Sequence, residues 1–342
     1  MGISLSIVKD GELADIESAV GSVVRLGWTY SVKYQRLLDG LLEGEVKSIV
    51  ARNPSGSIVG FLPCRALDGT YGRILNSQPF FGSYGGAVAS DASARTALLD
   101  EWNRIVGGSG GGDCEVAAAT LVECPVGETG DDSILQSAVD HRIGQVTDLS
   151  PLQCDSAALG TILHGKTRNA VRKGESQGFQ IGWEDPTWSQ LLDIHTENLT
   201  ELGGIAKPRR FFSLAQDLFE YGTDCRVWSA WDEDRVVASL LLFYWRDTVE
   251  YFMPAVRADC RPRQPLSALI ATAMRDAVDR GFNLWDWGGT WLTQKGVYRF
   301  KSRWGASDHR YQYRVQVNSE ELWSINRQDI LRCYPYFYVY PF

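Results

Sequence analysis

The sequence predicts an α/β protein of two lobes, each a mixed, mostly antiparallel sheet flanked by helices. Three observations predict it. The chain has 342 residues, more than the roughly 250–300 at which single hydrophobic cores stop growing. Its second half carries a β-meander (Cys225–Trp231, Val236–Trp245, Asp247–Pro254), then a helix at Leu266–Gly281 and a short strand at Asn283–Trp287. The first half repeats that order more faintly. Ser-Pro and Asp-Ser turn chemistry at Asp148–Ser156 marks the division, giving lobes 1–150 and 151–342.

In the first lobe, Ser4–Val8 reads as a strand and Glu12–Leu26 as a helix with apolar positions at helical spacing. Ser48–Arg52 and Ser57–Pro63 form a hairpin about Asn53-Pro-Ser-Gly56, where Pro and Gly preset the turn dihedrals. Ala94–Val106 is a helix ended by the glycine run 107–112, and Glu115–Val122 is the next strand. In the second lobe a basic helix (Ala157–Gln177) precedes helices at Thr187–Leu202 and Pro208–Tyr221. The meander turns at Asp232–Arg235. After Trp287 comes a glycine-rich loop, and Tyr311–Val317 is the last strand.

Composition excludes several classes. A net charge of −8 disfavours wrapping duplex DNA, where neutralising phosphates supplies most of the affinity; one phosphate-bearing substrate could still meet a local basic patch. Cys64, Cys114, Cys124, Cys154, Cys225, Cys260 and Cys333 form no CxxC pair, so no metal site is expected, and scattered thiols fit a reducing cytoplasm. No apolar run approaches the roughly 20 residues of a membrane span, and the N-terminus lacks a secretory pattern. Walker A, GxGxxG, HExxH and GxSxG are all missing, so no cofactor is expected. Twelve Trp and fourteen Tyr suit either aromatic-lined ligand surfaces or broad sheets.

Three stretches can carry chemistry. Asn76–Gly86, with three glycines, a proline and three aromatics, cannot be a regular element. Its backbone N–H groups at Ser83, Tyr84, Gly85 and Gly86 could meet an anion or a flat ligand, or the loop could be a tight structural turn. Lys166–Lys173 has four basic residues and no acid. On a helix, Arg168 and Arg172 share one face and Lys173 a neighbouring one, a phosphate site or a solvated surface. Trp285-Asp-Trp-Gly-Gly289 brings Asp286 to a glycine turn. Lys295, Arg299, Lys301, Arg303, Arg310 and Arg314 follow against one acid, Asp308, which favours an anionic or carbonyl-bearing substrate.

These segments resemble the FemAB family and its broader acyltransferase relatives. Val59–Pro63 with Leu75–Gly86 is similar to the strand and loop of polysaccharide-associated members. Arg168-Asn-Ala-Val-Arg-Lys173 through Gly178 resembles the family's basic helix. Ala277-x-x-x-Gly281, Trp285–Gly289 and Phe300-Lys-x-x-Trp-Gly305 resemble its A-x-x-x-G, D-x-G-G and F-K-x-x-F/W-G series. The resemblance implies tandem acetyltransferase-like (GNAT) domains, the first binding the acceptor and the second catalytic, with Phe300 and Lys301 beside the reacting centre. It implies an aminoacyl- or acyltransferase that forms an amide on a small-molecule, peptide or sugar-linked amine of a cell-wall, polysaccharide or natural-product precursor.

Two departures bear on substrate. Between Trp183 and Tyr221 there is no room for the coiled-coil arm of the cell-wall enzymes. Arg263-Gln-Pro-Leu-Ser-Ala268 also lacks the glycines that admit the coenzyme A pyrophosphate, so the acceptor end of an aminoacyl-tRNA is the expected donor and acyl-CoA the alternative. Within that chemistry Lys301, expected at the surface, is the cation for the developing oxyanion or leaving oxygen. Asp286 orients or deprotonates the amine, and Tyr298 is a candidate proton donor. The rival class is a non-catalytic precursor-binding protein on a degenerate transferase fold.

Overall fold

A computed structural model describes residues 2–9, 11–21, 23–80, 84–108, 115–125 and 133–340. The chain divides into two units, Met1–Ile143 with Arg310–Phe342, and Gly144–His309.

The first unit opens with β1 (Ser4–Ile7), α1 (Leu13–Val20), α2 (Val32–Leu41), β2 (Glu45–Val46), β3 (Ile49–Arg52) and β4 (Ile58–Leu62). There follow β5 (Arg65–Gly69), β6 (Gly72–Asn76), β7 (Val88–Ala89), α3 (Ala92–Val106) and β8 (Val116–Val122). The expected hairpin is β3–β4, with Arg52 opposite Ile58. Its turn is closed by the Asn53 side chain, which accepts from the N–H groups of Ser55 and Ser57. Strand alternation sends Val50 and Phe61 toward Ile16, Val20 and Tyr30, and Ile49, Ala51 and Leu62 toward Leu98, Leu99 and Trp102 of α3. The sheet β1-β3-β4-β7 is therefore buried on both faces. A second run of strands pairs β2-β5-β6-β8, parallel only between β6 and β8.

β9 (Ala138–Asp148) leads into the second unit, which holds α4 (Leu159–Ile162), α5 (Gly165–Glu175), β10 (Gln180–Gly182), α6 (Trp188–Glu201) and α7 (Arg209–Leu218). Next come β11 (Cys225–Asp232), β12 (Arg235–Trp245), β13 (Thr248–Val256), α8 (Pro265–Asp279), β14 (Leu284–Trp291) and α9 (Lys295–Ser302). β15 (Ala306–Val317) returns the chain to the first unit, where it pairs with β8 and leads to α10 (Arg327–Cys333). β10-β11-β12-β13 are antiparallel neighbours and β13 pairs β14 in parallel. One sheet face carries Trp228, Leu240, Leu242 and Tyr251 against Leu269, Ile270 and Met274 of α8. On the α6–α7 side, Phe211, Phe219, Phe243 and Phe252 make tilted, stacked and edge contacts.

Three expectations need correction. The chain from Arg310 onward belongs to the first unit, not the second. Leu322, Ile330, Phe337 and Val339 pack on Leu67, Ile74 and Ala118. The Tyr334 hydroxyl accepts from Tyr71 N–H (2.9 Å) and donates to Gly72 O (2.7 Å). The basic helix is two helices, broken at Leu163–His164 in extended backbone, where the His164 ring caps α5 by accepting from Lys166 N–H. The segment after Trp287 is not a loop: β14 continues through Gly288 and Gly289 to Trp291.

Candidate active site

The parallel ladder between β13 and β14 registers Thr248 with Leu284, Val249 with Trp285 and Glu250 with Asp286. The last pair sets two carboxyl groups side by side. Both are buried, Glu250 at 7% exposure and Asp286 at 1%. Alternation explains their company: Val249 and Trp285 enter the apolar core under α8, so the next residue on each strand faces the other way. Asp286 Oδ1 accepts from Gly288 N–H at 2.8 Å. That turn uses Gly288 at φ +68, a conformation costly for a residue with a Cβ.

α9 delivers Lys301 to the same place. It is 6% exposed, not at the surface as expected. Its ammonium donates to Gly288 O (3.3 Å), Gly289 O (3.0 Å) and Thr290 Oγ1 (2.9 Å), which occupies all three N–H groups. Thr290 donates in turn to Gln145 Oε1, whose amide donates to Ser302 Oγ. Burial lowers the Lys301 ammonium to about 8, while Asp286 and Glu250 pull the other way. Burial pushes Glu250 well above the usual carboxylate range; the Asp286 charge adds to the rise, and Lys301 opposes it. A cation and two carboxyl groups thus share a site where each alters the others' protonation.

Phe300, the neighbour of Lys301, points to the opposite side. Its ring stands edge-on to Trp287 and Trp304, each at 6.2 Å between centroids. It borders a cavity of 190 Å³ lined also by Lys166, Thr167, Gln264, Ser267, Arg299 and Arg303. Nearby arginines are committed: Arg226 to Asp276, Arg257 to Glu197, Arg261 to Glu201, Arg275 to Glu175. Among the described residues, Lys166, Arg299 and Arg303 have no carboxylate partner.

Other expected site residues fall elsewhere. Tyr298 donates its hydroxyl to Asp308 at 2.7 Å. Arg168 donates to the carbonyls of Gly160 in α4 and of Leu163, its C-cap; Arg172 and Lys173 are exposed and outside the cavity. Ser83 lies outside the described residues. Tyr84 is buried, edge-on to Tyr311. Gly85 and Gly86 border a 340 Å³ cavity of the first unit with Asp91, Arg95, Glu123 and Cys124. Their lack of a side chain is required by the protein itself: a Cβ on Gly85 would lie 2.6 Å from Gln78 Cβ, and one on Gly86 2.8 Å from Val122 O. Glu250 was missed, although an acid between Val249 and Tyr251 in an apolar strand was the signal.

Residues 164–302 match the acetyltransferase (GNAT) domain model. That match lies within the second unit. No curated protein matches the sequence. Among solved structures, FemX superposes with a TM-score of 0.66 at 13% identity, covering 94% of this chain and 98% of its own. A tandem GNAT protein from the clavulanic acid biosynthesis pathway gives 0.53 at 10% identity, covering 92% and 98%. A conserved protein of unknown function from Bacteroides thetaiotaomicron gives 0.56 at 12%, covering 92% and 100%. The fold is that of FemX and of tandem GNAT proteins, as the motifs implied. The strands of the matched segment bear Glu250 and Asp286, and its last helix bears Lys301. No helix among the described residues is long and apolar enough to cross a membrane.

Proposed function

We propose that the chain forms an amide by moving an aminoacyl group from the acceptor end of a charged tRNA to an amine of a cell-wall, polysaccharide or natural-product precursor. The observation that carries the transfer reading is the buried Lys301 ammonium, held on Gly288, Gly289 and Thr290 beside Asp286 and Glu250. Amide formation from an activated ester needs an uncharged amine, a neutralised oxyanion and a proton for the leaving oxygen. A desolvated cation beside carboxyl groups supplies these by position and field. Lys301 is the cation and Asp286 the group that receives the amine.

The donor choice rests on the start of α8. Gly174 of α5 packs so closely there that a Cβ would lie 2.4 Å from Gln264 O. Arg263, over the Phe179 ring, is bound to Asp232 and Gln177. That leaves little freedom for a pyrophosphate loop. The cations at Lys166, Arg299 and Arg303 suit a phosphate approaching from the cavity side. An acyl-CoA donor is the second reading, favoured by the reach of that cavity to Gln264 and Ser267 in the first turn of α8. The first unit's cavity at Gly85 and Gly86 is proposed for the acceptor.

Incubation with charged tRNA or with acyl-CoA, each with amine-bearing precursors, is the test. A new amide seen by mass spectrometry only with charged tRNA supports the reading. Product only from acyl-CoA replaces the donor, and no product from any pair overturns transfer.

A further inference from the structure

Glu250 has no role in the family resemblance, yet it is an acid built into an apolar strand. Its neighbour across β12 is Phe243, and its partner across β14 is Asp286. The two carboxyl groups stand at neighbouring positions of the parallel ladder, both buried. Two ionised carboxylates held side by side out of water repel, so such a pair keeps a proton on one of them. Gly288 N–H donates to Asp286 Oδ1, which favours the charge on Asp286 and leaves the proton on Glu250.

The surrounding charges agree. From β14 Glu250 faces Asp286, and from α9 Lys301. From α6 and the segment after it come His195, whose Nε2 accepts from Lys207 N–H, and Lys207, whose ammonium lies 4.6 Å from the centroid of the Phe252 ring. Glu197 is bound to Arg257 and Glu201 to Arg261. On α8, Arg275 is tied to Glu175, and Asp276 to Arg226 and Arg280. The Asp286–Glu250 pair thus answers chiefly to one cation. A buried acid pair is a costly way to fill space that a Val or Leu would fill, and such costs persist where function needs them.

We infer that Glu250 and Asp286 hold a single proton between them, and that this pair works with the Lys301 ammonium to move the protons of the transfer reaction. The inference rests on the transferase reading for its reaction, not for its proton. The amine lone pair attacks the carbonyl carbon; the C–N bond forms and the bond to the leaving oxygen breaks. Asp286 takes one amine proton, and the leaving oxygen takes one from Lys301, which gives up its longest hydrogen bond, that to Gly288 O. Lys301 is then reprotonated from Asp286, so one amine proton ends on the leaving group and the site regains its charge. Glu250 is a positioning residue: by donating to Asp286 it keeps that carboxyl ionised and aimed.

Infrared difference spectroscopy of the full chain, with and without 13C-labelled glutamate, tests the proton directly. At pH 8 a carboxylic-acid C=O band is expected that shifts with the label and disappears in Glu250→Gln. Thermal unfolding of both proteins gives a second reading. A pKa raised in the fold means that the Glu250 contribution is whole below its unfolded value of 4.5 and is lost as pH rises toward the folded value. Glu250→Gln should therefore gain in Tm over wild type at pH 8, with the gain shrinking toward pH 5. No labelled band in wild type, or parallel Tm curves for the two proteins, overturns the shared proton. Where product forms, Glu250→Gln should lower kcat by about 10²-fold, leave KM within about twofold, and displace the acid limb of the pH profile. An unchanged profile removes Glu250 from the reaction. If no amide forms with any donor, transfer falls while the labelled band still decides the proton.

Discussion

Lys301 is costly to bury and is held by three acceptors, so its removal has two separable consequences. Lys301→Ala should lower turnover about 10²-fold, the scale for losing one transition-state stabiliser, measured with the donor and amine that give product. It should also destabilise the chain by about 1–3 kcal/mol, because Gly288 O, Gly289 O and Thr290 Oγ1 lose their common donor. Urea denaturation checks that part. The pH dependence has a definite sign. Burial lowers Lys301 to about 8, so the ammonium is present below that pH and lost above it. The expected kcat/KM therefore falls as pH rises past about 8, and Lys301→Arg, protonated throughout, should abolish that limb.

At the scale of elements, α5, α8 and α9 share one cavity, and their contacts decide what can enter it. Gly174 lies where α5 meets α8: an added Cβ would lie 2.4 Å from Gln264 O and 2.9 Å from Ala268 Cβ. Ala at this position improves helix propensity by up to about 1 kcal/mol, but overpacking costs about 1–3 kcal/mol. The clash wins, and Gly174→Ala should shift the urea midpoint down. The cavity's cations make a separate prediction. Arg299→Glu with Arg303→Glu should weaken a phosphate-bearing donor by about tenfold or more, seen in the KM for the donor, with the acceptor KM unchanged. A pair of solvated surface arginines would leave both constants as they were.

For the whole molecule, the charge balance and the chain path set the limits. A protein of net charge −8 with Lys166, Arg299 and Arg303 around one cavity should lose donor affinity as salt rises, since screening acts on that attraction. The chain path returns after β15 to complete the first unit: Leu322, Ile330, Tyr334, Phe337 and Val339 are half of a core whose other half is Leu67, Ile74, Ala117 and Ala118. A chain ending at Val317 should therefore lose the cooperative unfolding of the first unit in calorimetry, because the apolar area it leaves exposed outweighs marginal stability.

The sequence by itself determined the local patterns. The meander from Cys225 to Val256, the β3–β4 hairpin and the amphipathic helices α3, α6 and α8 were legible because side-chain periodicity and turn chemistry act over a few residues. The ordered series from Ala277 to Gly305 resembled the FemAB family, and the fold is that of FemX. Tertiary structure alone decided the rest. β9 was invisible because Asp140, His141 and Arg142 interrupt its apolar pattern, and its pairing is with distant strands. Lys301 was read as a surface side chain because nothing in Arg299-Phe-Lys-Ser302 says that three acceptors lie behind it. Glu250 acquires its meaning only from Asp286, 36 residues away. A parallel strand pair joined by a helix brings them together, and a carboxyl group's protonation depends on its neighbours in space.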